Sequence, residues 1–143
     1  MIDIENLIVD KVNTAVAPLL TKYPKLKVVS EYVEMAAEFP LVSVVQTDNY
    51  THLRSQDASL QEHEVNVAFD VNVFTTGKNK KSAAKLIANA VDEEMQNNLF
   101  TRVYFSQIPN VDRTVYRIVM RYTAVVAAPV VDGDTITFQM YRR

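Results

Sequence analysis

The segment His63–Phe74 reads HEVNVAFDVNVF, with Val65, Val67, Phe69, Val71 and Val73 on one parity and Asn66, Ala68, Asp70 and Asn72 on the other. Successive side chains of a pleated strand point to opposite faces. The pattern therefore predicts a strand that buries one face and turns the other to water or to a partner. It runs through Thr75-Thr76-Gly77 into a lysine-rich helix start, with no catalytic motif on either side.

Around that strand, 143 residues suit a single domain spanning 1–143, long enough to bury a core. The absence of cysteine excludes disulfides, thiolate catalysis and Cys-based metal sites together. A net charge of −2 gives no electrostatic argument for nucleic acid or an anionic membrane. The only glycines are Gly77 and Gly133. Phosphate-cradling loops need several, so that backbone N–H groups can approach the anion; a Gly-rich nucleotide loop is excluded. The start MIDIENLIVD carries acids where a signal peptide needs positive charge, and no apolar run approaches membrane-spanning length. The expectation is a mature chain made in a reducing cytoplasm.

Asp3 is the expected N-cap of a first helix, whose stripe is Ile4, Leu7, Ile8, Val12, Ala15, Val16 and Leu19. Pro18 should kink or restart it. Leu26–Val33 reads as a strand, followed by a break at Met35–Glu38 and, after Pro40, a strand over Leu41–Gln46. Thr47–Glu62 is polar and lacks a period, and reads as a long loop acting as a functional arm or a mobile one. Beyond the Val65–Phe74 strand, Ala83, Leu86, Ile87, Ala90, Val91 and Met95 mark a second helix. Its lysines come early and its acids late, against the helix dipole, so packing must hold it. Arg102–Ile108, Arg113–Val126 and Thr135–Tyr141 are the remaining strands, with a turn at Asp132-Gly133. The order α-β-β-β-α-β-β-β predicts one α+β domain, with two main helices packed on one face of a largely antiparallel or mixed β-sheet.

Chemistry-bearing residues are few. His52 and His63 lack the converging ligands of a zinc site, so no metal is expected. Asp92, Glu93 and Glu94 fan outward on a helix rather than converge. No nucleophile elbow accompanies the serines, and no catalytic residue or cofactor is expected. Lys78, Lys80, Lys81 and Lys85 form a basic patch at a helix start that reads chiefly as a solvated one. Arg113, Arg117 and Arg121 share one strand face. They suit cross-strand pairing with acids such as Asp70, an inter-subunit surface, or a nucleic-acid groove, in that order. Tyr116 and Tyr122 lie on the opposite face, which weakens the last.

Several stretches resemble one family. They are Phe39-Pro40 leading into LVSVVQ, a polar loop, VNVAFDVNVFTTG feeding KNKKSAAKLIANAVDEEM, and a strand from Asp112-Arg113-Thr114-Val115-Tyr116-Arg117 into MRYTAVV. Over Ile4 to Val126 the chain resembles the tail terminator, or tail completion, proteins of tailed bacteriophages, which act at the head–tail junction. The resemblance implies a homohexameric ring that caps the tail tube and meets a head–tail connector or adaptor, with DNA only as cargo passing the lumen. It implies residence in the virion neck, no membrane, and no enzyme activity. Asp48, Tyr50, His52, Arg54, Asp57, Asp70, Arg113, Arg117 and Arg121 are the expected inter-subunit or tail-tube contacts. A neighbouring neck adaptor, and a small ligand- or nucleic-acid-binding domain, are the competing expectations.

Overall fold

Ile8, Val12 and Val16 recur at every fourth position, and in the computed structural model they form the buried face of helix α1 (Glu5–Val16). The structure describes residues 2–33, 38–51, 64–109, 112–127, 130–132, 135–138 and 140–141. The N-cap falls at Ile4 rather than Asp3, although the Asp3 carboxylate still accepts the Glu5 N–H at 3.0 Å. At Pro18 the helix tightens into a 3₁₀ turn over Ala17–Leu20. Proline sits at the start of that turn, where its missing N–H costs little.

The strands follow as β1 (Lys27–Val29), β2 (Leu41–Thr51), β3 (Glu64–Thr76), β4 (Thr101–Gln107), β5 (Val115–Ala127), β6 (Val130–Asp132), β7 (Thr135–Thr137) and β8 (Met140–Tyr141). Helix α2 (Lys80–Asn97) stands between β3 and β4. The main sheet has the order β1-β2-β3-β5-β4, and β8 pairs with β5 beyond the end of β4. Among the described residues only the β1–β2 pair is parallel; β6 and β7 form a separate antiparallel pair. The sheet curls into a half-barrel with both helices on one face, an α+β domain with its elements in the expected order. Val42 and Val44, the valines of β3 with Phe69, and Ile118, Met120 and Tyr122 of β5 pack beneath Ile87, Val91 and Met95 of α2. Phe69 meets Phe100 edge to face at 5.7 Å between ring centroids.

Several expected boundaries shift. The strand expected over Leu26–Val33 shortens to β1, because β1 pairs only with the first residues of β2, from Leu41 to Ser43. Beyond it the chain is held differently: the buried Ser43 hydroxyl donates to the Glu31 carbonyl at 2.5 Å. The loop expected from Thr47 begins instead as strand. After a bulge between Gln46 and Asp48, Asp48–Thr51 pair with Val65–Ala68. Within that segment Asn49 Nδ2 donates to the Ile2 carbonyl at 2.8 Å. The remainder of that expected arm, 52–63, lies outside the described residues. The closing strand divides into β7 and β8, and Met140 of β8 joins the core.

The second face of β3, expected to meet water or a partner, is largely covered within the chain itself. Asn66, Ala68, Asn72 and Phe74 on its second face are all buried, and Asp70 is half-buried. As a central strand between β2 and β5, β3 has their long side chains beside its own, and Arg117 of β5 lies over Asn72 and Phe74. Phe74 anchors a smaller cluster there with Leu41 and Val115.

Helix α2 does carry no acid in its first turn and no base in its last, so burial of Ala84, Ile87, Ala88, Val91 and Met95 holds it. Its end is a Schellman motif: Phe100 N–H donates to Met95 O and Leu99 N–H to Gln96 O, both at 3.0 Å. Buried Phe100 and Met95 supply the accompanying apolar contact. Leu99 occupies the left-handed position with φ of 65°, where glycine is usual and a Cβ costs about 1 kcal/mol. Leu99 is 41% exposed, so little packing is lost on truncation. Leu99→Gly should therefore raise stability by about 0.5 kcal/mol, after the added unfolded-chain entropy of glycine. Urea denaturation of the two proteins checks this; a loss of stability would show that the Leu99 side chain is held by packing.

Candidate functional site

The sheet face opposite the helices carries a groove of about 610 Å³, crossed by β2, β3, β5 and β4. Strand parity builds it. The apolar set of each strand faces the helices, so Val45, Asp70, Asn72, Arg117, Val119 and Arg121 turn the other way and line the groove. Tyr104 and Val103 close one side from β4, and Tyr32 stands at the rim.

Direct register opposes Asp70 to Arg121. Arg121 Nε donates to Asp70 Oδ1 at 2.8 Å and Nη2 to Oδ2 at 3.1 Å, a bidentate fork that fixes both side chains. The carboxylate raises the Arg121 pKa, chiefly through these hydrogen bonds, with Asp48 adding a weaker attraction. This is the cross-strand pairing expected of the arginines. Arg117 is placed differently. It reaches diagonally to Asn72, donating from Nε and Nη2 to Oδ1 at 3.0 and 2.8 Å, with its guanidinium 5.4 Å from the centroid of the Phe74 ring.

Arg113 does not join them. The Asp112 carboxylate accepts both the N–H and the hydroxyl of Thr114, at 2.9 and 2.7 Å, and the Asp112 carbonyl accepts Val115 N–H. The Thr114 hydroxyl bond, then the backbone bond, holds the Asp112 pKa below its ordinary value. That turn delays β5 to Val115 and leaves Arg113 exposed outside the groove. Asp48 and Tyr50 are exposed on β2 past the bulge, while His52, Arg54 and Asp57 lie outside the described residues. Of the nine expected contact residues, the groove thus gathers Asp70, Arg117 and Arg121.

Sequence reasoning placed Asn72 on the face of Asp70 and expected a strand over Arg102–Ile108, but it named neither Asn72, Phe74 nor any residue of β4 as part of a site. The parity of Asn72 with Asp70 in FDVNVF was an available signal. So was the run Val103-Tyr104-Phe105, because consecutive apolar residues in a strand cannot all face one core. In the structure they are 53%, 47% and 45% exposed, on the terminal strand of the sheet. Phe105 lies beneath the Arg102 guanidinium, which also pairs with Asp92 at 3.0 Å.

The basic patch is solvated at Lys78, Lys81 and Lys85, while Lys80 Nζ donates to the carbonyls of Arg113 and Thr114. Asp92 turns inward to accept the Tyr122 hydroxyl at 2.7 Å; Glu93 faces solvent. Among the described residues, no group of three His, Cys, Asp or Glu side chains converges, and no helix is long and apolar enough to cross a membrane. No protein-family model matches this chain, and a search of curated proteins finds no match either.

Proposed function

We propose that this chain is a structural subunit of a tailed bacteriophage, a tail terminator or tail completion protein that closes into a hexameric ring over the tail tube at the head–tail junction. The phage assignment rests on the order and spacing of the motifs from Ile4 to Val126. The observation that carries the assembly part is the β4 edge. Ile108 N–H donates to Arg117 O, so ladder alternation turns the backbone groups of Phe105 and Gln107 outward. Among the described residues no strand pairs with that edge. An exposed apolar edge is a template for pairing, and monomeric proteins usually blunt it with charge or proline. Here it carries valine, tyrosine and phenylalanine in a row, with Arg102 the one charge on the strand. A ring needs a heterologous contact between two different patches of each subunit, and the β4 edge supplies one. On this reading the chain performs no catalysis, meets the tube and a head-side adaptor, and passes DNA through its lumen.

Native mass spectrometry tests the reading. The expected result is a hexamer, and a Val103→Lys/Phe105→Lys variant that is folded by circular dichroism but monomeric. Lysines on an edge strand oppose strand addition, while exposed substitutions change stability by only about 0.5 kcal/mol. Purified hexamer added to growing tail tubes should arrest their elongation. A wild-type chain that stays monomeric at its highest soluble concentration defeats the proposal; a ring that ignores tubes assigns it to the neck instead.

A further inference from the structure

We infer that the groove opposite the helices holds an extended polypeptide segment through an acidic side chain seated on Arg117. This goes beyond the ring reading and does not depend on it, since it rests on Arg117 within the sheet face, although Val103 and Tyr104 of β4 border that groove as well. Arg117 is half-buried, yet among the described residues no carboxylate lies within ion-pair distance of it. Its partner is the neutral carbonyl oxygen of Asn72, a residue only 4% exposed. The Phe74 ring, itself buried, supports the guanidinium from one side. The cation is thus held in one orientation while, among the described residues, its Nη1 edge meets no acceptor. A carboxylate is the planar, bidentate complement of that edge.

The rest of the groove agrees in charge. Among the described residues its lining holds Arg117 and Arg121 against one carboxylate, Asp70, with Asp48 drawing on Arg121 from outside that lining, so Arg117 is the cation without a counter-charge there. Asp70 is already neutralised by the Arg121 fork, so it opposes an incoming acid weakly. Val45, Val119 and Ile108 provide apolar wall on either side of the cation. The occupant is therefore apolar with one acid rather than polyanionic. Tyr32 is 67% exposed and Tyr104 47%, so the groove is open along its rim. Small ligands bind where most of their surface is enclosed; an open channel across several strands suits a chain passing through it. The volume falls in the range of about 300–1,000 Å³ typical of binding clefts.

Fluorescence anisotropy with the full-length chain decides it, using two labelled eight-residue peptides of alternating Thr and Val that differ only by a central Glu or Gln. The Glu peptide should bind about tenfold or more tightly than the Gln peptide, as a charge-assisted fork implies. Arg117→Gln should abolish that preference, and Arg117→Lys should retain only part of it. Equal binding of the two peptides by the wild-type chain overturns the inference whatever the variants do. So does hexanoate competing as strongly as the Glu peptide, which would assign the groove to small carboxylic acids. Oligothymidylate binding, with the Glu peptide inert, would assign it to nucleic acid and equally overturn it.

Discussion

Phe69→Ala is expected to remove about 4 kcal/mol of stability, close to half of what a domain of this size commonly has. Phe69 is wholly buried at the middle of β3, paired with Tyr122 across the sheet and stacked edge to face on Phe100. Truncation forfeits the transfer free energy of the ring. It also leaves a cavity between sheet and α2 that cannot collapse, because β3 is fixed by β2 on one side and β5 on the other. The aromatic pair adds about 1 kcal/mol that alanine cannot replace. Thermal unfolding should shift down by roughly 10 °C. Phe105→Ala provides the contrast: the same residue type, 45% exposed, should cost far less. Similar losses at the two positions would place the core elsewhere than beneath α2.

Asp92→Ala is expected to cost about 1–2 kcal/mol, more than Tyr122→Phe. The Asp92 carboxylate accepts the Tyr122 hydroxyl through Oδ1 at 2.7 Å and meets Arg102 through Oδ2 at 3.0 Å. Removing it strands a buried hydroxyl whose remaining neighbour, Met120 Sδ at 3.2 Å, is a weak acceptor. Alanine returns about 0.5 kcal/mol through its better helix propensity, so the net loss stays below the full penalty. Tyr122→Phe, in contrast, leaves Asp92 its arginine and partial access to water.

The same pair gives a pH signature. Burial first, then the hydrogen bond to Asp92, push the Tyr122 phenol well above its ordinary value of about 10. In the unfolded chain it ionises near 10 while the folded one holds its proton, so proton release favours unfolding as pH rises. The contribution is complete below pH 10 and declines as pH climbs from there toward the folded value. Urea midpoints measured from pH 9 upward should fall, and the fall should be shallower in Tyr122→Phe. Parallel slopes in the two proteins would show that Tyr122 is not the group responsible.

The amphipathic stripes of both helices and the period-2 alternation of β3 and β5 were legible because side-chain parity is a local property. Even so, the parity of Leu86 misled: it lies on the expected stripe of α2 and is 39% exposed, because the helix presents Ala84 and Ala88 to the sheet instead. Polar composition misled at Thr47–Thr51, where pairing with β3 outweighs poor strand propensity once the partner strand is in place. Asp70 with Arg121 was foreseeable from strand faces alone. The diagonal hold of Asn72 on Arg117, and the exclusion of Arg113 by the Asp112 turn, depended on register and on side-chain reach.

From the residues alone came the class of fold, the two helix faces and the face of β5 on which Arg117 and Arg121 lie. Those follow from periodicity, which each segment carries within itself. Only the tertiary structure decided that β3 is central and covered on both sides, that β4 ends the sheet with three apolar side chains exposed, and that Arg117 meets no carboxylate among the described residues. Strand order and burial are properties of which segments meet, and no single segment encodes its neighbour.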